Sequence, residues 1–140
     1  MDQTLSLGWM QAQARSRRVT YERVLALNLI LYVILSLFAI ISPATLSELI
    51  GLPDPVPSGW FRAWGGLLLL VSALYIPGLL DPVRWRWGNI VGIVGRFVMA
   101  ILYLFLGGPF LLFALFEAAF ALLLAVLYFR LFEAELMSRP

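Results

Sequence analysis

Arg96 and Glu117 each stand near the middle of a long apolar stretch. A charged side chain at bilayer depth is disfavoured by roughly 2.5 to 3.5 kcal/mol even on insertion scales, so each needs a partner, a ligand or a reaction to account for it. Three kinds of chemistry are open to the pair. As a salt bridge it fixes the register of two helices, although a buried pair can lose more in desolvation than it gains in attraction. As a binding site, the guanidinium offers N–H donors to the carboxylate, carbonyl or phosphate of a lipophilic molecule. As a catalytic site, Glu117 would give and take a proton beside Arg96 while an apolar substrate is isomerised. Tyr32 and Tyr103 add hydroxyls at similar heights. The candidate ligand-binding set is therefore Arg96, Glu117, Tyr32 and Tyr103. No residue is assigned a catalytic role, and an enzyme would draw on Glu117 and Arg96.

Spacing places these residues on packing faces. Steps of three and four return to one side of a helix. They align Gly88, Gly92, Gly95, Arg96, Met99 and Tyr103 in one apolar stretch, and Ala114, Glu117, Ala118, Ala121 and Ala125 in another. Small residues mark helix contacts in a membrane, where backbones must approach without a hydrophobic drive, and Gly88 to Gly92 is a GxxxG. Arg96 lies about eleven residues before the Gly107 turn and Glu117 about eight beyond Pro109, a depth difference of about 5 Å at 1.5 Å per residue. Asn28, Tyr32 and Ser36 repeat at four-residue steps, and Arg62, Gly66, Leu69, Ser72 and Ala73 form a second mixed stripe, with Leu67 facing away from it. Asn28, Tyr32, Ser36 and Ser72 read as hydrogen-bonding glue between helices, with Tyr32 also open to the ligand role above.

The elements that must carry these faces follow from composition. Hydrophobic residues make up 62% of the 140-residue chain and charged residues 13%, about half the charged fraction of a soluble domain. Four spans of about 20 residues use nearly all of it, so no second, soluble domain is expected. The spans fall at about 19–41, 60–80, 88–106 and 109–131. Residues 1–18 form an arm in which Leu5, Leu7, Trp9 and Met10 suit the headgroup region, with a disordered tail as the alternative; residues 132–140 are a short charged tail. After Ser42-Pro43, Thr45 to Glu48 matches a T-x-x-E capping box, which predicts a short interfacial helix over 45–50 stopped by Gly51. Pro77-Gly78 is expected to kink or fray the second span. Gly107, Gly108 and Pro109 allow only a tight reversal, which makes the last two spans antiparallel neighbours. The fold class is thus all-α: a polytopic membrane protein, an antiparallel four-helix transmembrane bundle with a short interfacial helix.

Charge sets the orientation. Arg15, Arg17, Arg18, Arg23, Arg84, Arg86, Arg130 and Arg139 all lie on the side of the two termini. The opposite side has Arg62, with Glu48 or Asp54 as its expected partner. The positive-inside rule then makes both termini cytoplasmic, and Trp60, Trp64, Trp85 and Trp87 fall where aromatic belts belong. Cysteine and histidine are both absent, which excludes disulfides, Cys/His zinc sites and histidine-ligated haem. No metal or resident cofactor is predicted, with a quinone open as a ligand.

Phe61-Arg62-Ala63-Trp64-Gly65-Gly66, a leucine-rich span, Asp81-Pro82-Val83-Arg84 and Val91-Gly92-Ile93-Val94-Gly95-Arg96 together resemble the small four-span bacterial proteins grouped as DoxX-like. The resemblance covers roughly residues 24–130. It implies a multi-pass bacterial inner-membrane protein, in a group some of whose members accompany quinone-linked oxidoreductases. Related sterol-binding and sterol-isomerising four-span proteins place acidic residues in their cavity, and this chain matches in Glu117. The functional expectation is a non-catalytic membrane subunit or binding protein for a lipid or quinone. The alternatives are an isomerase-type enzyme and a scaffold with no ligand. Membrane lipids are the expected partners rather than nucleic acid, with a larger membrane complex and a homo-oligomer both open.

Overall fold

A computed structural model describes residues 2–138, with side chains from residue 8 onward. Arg139 and the side chains of Leu5 and Leu7 lie outside the described residues. The chain forms α1 (Asp2–Ile41), α2 (Pro43–Leu49), α3 (Gly59–Leu74), α4 (Ile76–Leu80), α5 (Arg86–Leu106) and α6 (Phe110–Met137). Four stretches are long and apolar enough to cross a membrane: Gly8–Ile41, Gly59–Leu80, Arg86–Leu106 and Phe110–Met137. The protein is a small all-α, multi-pass membrane protein.

The arm expected ahead of the first span continues the helix of that span. α1 is one helix of 40 residues, about 60 Å long, twice the roughly 30 Å hydrocarbon core. Its first turns continue past the membrane beside the end of α6, where Ala14, Leu131 and Ala134 are buried. Arg18 stitches this end together, pairing with Glu22 one turn on at 2.8 Å and reaching the Leu80 carbonyl at 3.1 Å and Asp81 at 3.6 Å. Arg18 thus ties α1 to the end of α4 and the residue that follows it.

The interfacial helix starts two residues earlier than the capping-box reading, because Pro43 takes its first turn, where a missing N–H costs nothing. No side chain caps it, so Thr45 and Glu48 do not form the box. Its end is as expected: Gly51 adopts φ +73, with Gly51 N–H donating to the Glu48 carbonyl and Leu52 N–H to that of Ser47, a Schellman stop. Pro77 breaks the second span at Tyr75, leaving α4 as a separate turn. The α5–α6 reversal runs through Gly107 and Gly108, both at positive φ.

α1 packs against α3 on one side and α6 on the other, and α6 packs against α5. Gly65 makes the α1–α3 approach possible, since a Cβ there would sit 2.8 Å from the Ser36 carbonyl oxygen. α3 and α5 are not closely apposed; α4 touches α1, α3 and α5 and joins them at the terminal side alone. Two apolar clusters fill the interior. One at the terminal side gathers Tyr21, Leu25, Leu29, Leu124, Tyr128 and Leu131; the other, at the far end, gathers Ala39, Leu46 and Phe61 with Trp64 against them. The outward-facing flanks carry exposed Ile30, Ile34, Leu70, Val98, Leu115 and Leu122, the surface that lipid solvates.

Candidate functional site

The polar groups sit between the two apolar clusters. Tyr32 from α1, Arg96 from α5 and Glu117 from α6 close a ring of hydrogen bonds. The Tyr32 hydroxyl donates to Glu117 Oε1 and accepts from Arg96 Nη1, which lies 3.3 Å from Glu117 Oε2. Arg96 and Glu117 are 3% and 7% exposed. The guanidinium also lies against aromatic faces, 4.6 Å from the Tyr32 ring centroid and 5.3 Å from that of Tyr75. A cation between π faces is attracted to both. The two residues counted to within about 5 Å in depth from the Gly107–Pro109 turn thus meet as an ion pair, and the third member comes from the Asn28, Tyr32, Ser36 face of α1.

The ring does not use all of its donors. Arg96 Nε and Nη2 are buried and find no acceptor among the described residues. Asn28, one turn from Tyr32 and fully buried, likewise has neither amide atom bonded. Buried polar groups left in this state are rare, since each costs about 1–3 kcal/mol.

Beside the ring, a cavity of about 260 Å³ separates α3 from α5. Tyr32, Arg96 and Glu117 line its polar side, and Trp64, Leu68 and Met99 its apolar side. Exposed Leu67, Val71 and Gly95 also line it, so it opens sideways, toward the hydrocarbon of the bilayer. A second apolar space of about 220 Å³ lies toward the Phe110 end and shares Trp64, Met99 and Tyr103 as walls.

All four sequence-derived site residues line the first cavity. Tyr103, however, does not bond to the ring: it is stacked on Phe110 and tilted against Phe113. Sequence reasoning missed Tyr75 and read Trp64 as part of an interfacial belt. Tyr75 and Gly92 lie nearly equidistant from the 81–85 loop, a symmetry that would have paired them: a Cβ on Gly92 would run into the Tyr75 ring.

Other expectations need correction. Within this chain the Gly88–Gly92 GxxxG forms no helix-on-helix contact, since Gly88 and Gly95 have open space where a Cβ would go and Gly92 meets the Tyr75 ring. The α3 packing face is Phe61, Gly65 and Ser72, whereas Arg62, Gly66 and Ala73 are exposed. That rotation brings Leu67 to the cavity instead of away from it. Ser36 and Ser72 donate to carbonyls of their own helices, those of Tyr32 and Leu68, and so bridge nothing. Arg62 pairs with neither Glu48 nor Asp54: the ion pairs among the described residues are Arg18–Glu22, Arg18–Asp81 and Arg96–Glu117. The described residues contain no cluster of three or more His, Cys, Asp or Glu placed to hold a metal.

Comparison with protein-family models, curated protein sequences and solved structures finds no match.

Proposed function

We propose that this protein binds a lipophilic molecule taken from the bilayer, seating its polar head on the Arg96–Glu117–Tyr32 ring and its apolar part between α3 and α5. The observation that carries the reading is the combination of a sideways opening with unmatched buried donors. A membrane helix pair with only a structural salt bridge has no need of either. The cavity is smaller than the roughly 300–1,000 Å³ of a drug-sized site, which suits a head group inside with its chain in the lipid or along the Trp64–Tyr103 space. Lipids and quinones both fit that description.

Binding is preferred to acid–base catalysis because each oxygen of Glu117 is already engaged, one by Tyr32 and one by Arg96. A proton reaching or leaving this carboxylate must first break one of those bonds. In the same reading the protein is a DoxX-like protein of a bacterial inner membrane with both termini cytoplasmic. The arginines at 15, 17, 18, 23, 84, 86 and 130 support that orientation. The role extends to that of a small subunit in a larger membrane complex or a homo-oligomer.

The test is ligand recovery. Native mass spectrometry of protein released from membranes should show a bound lipophilic molecule on wild type and on Leu122→Met, whose side chain faces lipid on α6. Arg96→Met should lose it, because methionine fills similar space but offers no donor. Equal recovery from Arg96→Met would remove the reading. Orientation is checked separately in this cysteine-free chain. In intact cells, a membrane-impermeant thiol reagent should label Val56→Cys and spare Gln13→Cys; the reverse pattern would invert the topology.

A further inference from the structure

We infer that the head group received at this site is uncharged and presents a carbonyl oxygen, as an ester or ketone does, not a carboxylate or phosphate. This rests on the binding reading above and narrows its ligand. Two independent observations support it: which donors are free, and what charge the site already carries.

The guanidinium has three directions in which to act. Its central carbon lies over the Tyr32 and Tyr75 rings. Its Nη1 end is taken by Tyr32 and Glu117. What is left is the edge bearing Nε and Nη2, whose N–H bonds run parallel, and this is the edge with no acceptor among the described residues. Parallel donors suit an oxygen with two lone pairs, or two oxygens of one group. Donor geometry alone therefore admits carbonyl, carboxylate and phosphate alike.

Charge decides among them. Glu117 pairs with Arg96 at 3.3 Å, and no other charged residue lines the cavity. With Glu117 ionised in its pair with Arg96, the formal charges of the site cancel before anything binds. A carboxylate or phosphate would add an uncompensated negative charge in a desolvated, apolar pocket, close to the Glu117 carboxylate, and burial of an unpaired charge is strongly disfavoured. An uncharged carbonyl satisfies the same N–H pair and leaves the site neutral. An alcohol is also uncharged but brings a hydroxyl proton that needs an acceptor of its own, while a carbonyl brings none. Nε and Nη2 are sealed from solvent, so the ligand reaches them by displacing a neighbour. Tyr75 is the neighbour placed to yield: it is half-buried, lines the cavity and sits at the break between α3 and α4.

The test uses three brominated probes of one chain length: a methyl ester, a primary alcohol and a permanently ionised sulfonate, each titrated into the full chain in nanodiscs. Bromine quenches tryptophan at contact, and Trp64 lines the cavity, so the signal is the quenching in wild type that Trp64→Phe abolishes. The ester should saturate this signal at a concentration at least tenfold below that of either other probe. Arg96→Lys, which keeps the charge but lacks the parallel edge, should weaken the ester about tenfold and bring it level with the alcohol. Sulfonate binding as tight as or tighter than the ester would overturn the inference while leaving the site intact, and so would equal binding of the alcohol. Absence of any saturable Trp64 signal from all three probes would bring down the binding reading itself.

Discussion

Asn89 and Arg96 lie two turns apart on the buried face of α5, yet they meet different surroundings. Asn89 faces the break between α4 and α5. Pro82 has no N–H to give the Gly78 carbonyl one turn before it, and the Asn89 amide supplies one at 3.1 Å while also reaching the Pro82 carbonyl at 3.3 Å. The Tyr128 hydroxyl donates to that same Pro82 carbonyl from α6. A Cβ on Gly78 would lie 2.7 Å from Asn89 Oδ1, so the backbone there is drawn close. Arg96 meets side chains alone, and its second edge is unmatched. The difference teaches that the bundle is sealed where backbone breaks supply fixed acceptors for a side-chain donor, with the Asn89 Oδ1 acceptor alone unmatched there among the described residues, and left open where side chains must supply them. The first location is structural; the second is where the proposed ligand would be seated.

The largest effect expected from breaking this contrast is at the open end. Glu117→Gln alone strands the Arg96 charge in the interior, at a cost of about 3–5 kcal/mol for a broken buried pair. The double variant Arg96→Met with Glu117→Gln removes both charges and should be the more stable of the two in thermal unfolding in detergent. Strict additivity of the single effects would show that the pair is not coupled.

At the sealed end the loss should be smaller and of another kind. Asn89→Leu removes one donor from two backbone carbonyls, which is worth about 1–3 kcal/mol when a buried group goes unsatisfied. It should lower the melting temperature while recovery of a bound molecule per folded protein stays as in wild type. A parallel loss of ligand would show that the two regions are not separate.

The smallest effects belong to the glycines of the apparent GxxxG. Gly92→Ala must push the Tyr75 ring aside, a shift of about 1 kcal/mol for overpacking against a side chain that can move, and it should change ligand recovery because Tyr75 borders the cavity. Gly88→Ala meets open space and should lie within about 0.5 kcal/mol of wild type, as surface substitutions do. Matched losses at both positions would restore the glycine pair as a helix contact.

The sequence is legible wherever local chemistry decides. Its hydropathy alone determines four spans, because backbone in lipid must satisfy itself within a helix. Gly51, Pro77 and the Gly107–Gly108 pair determine where the helices stop, because positive φ and a missing N–H admit few alternatives. Counting residues from the last turn places Arg96 and Glu117 within about 5 Å of one depth, since the rise per residue of a helix is constant.

Facing was only partly legible. Gly66, Gly88 and Gly95 look like contact residues by type, but a small residue permits close approach without requiring it. Which face of α3 turns inward was decided by the fit of Gly65 against Ser36 and Ala39, a matter of shape between helices distant in sequence. The gap between α3 and α5 also belongs to tertiary structure alone: α1 and α6 each have two neighbouring spans, α3 and α5 have one each, and α4 joins them at a single end. Which spans touch depends on shape between helices far apart in sequence, and no local pattern specifies it.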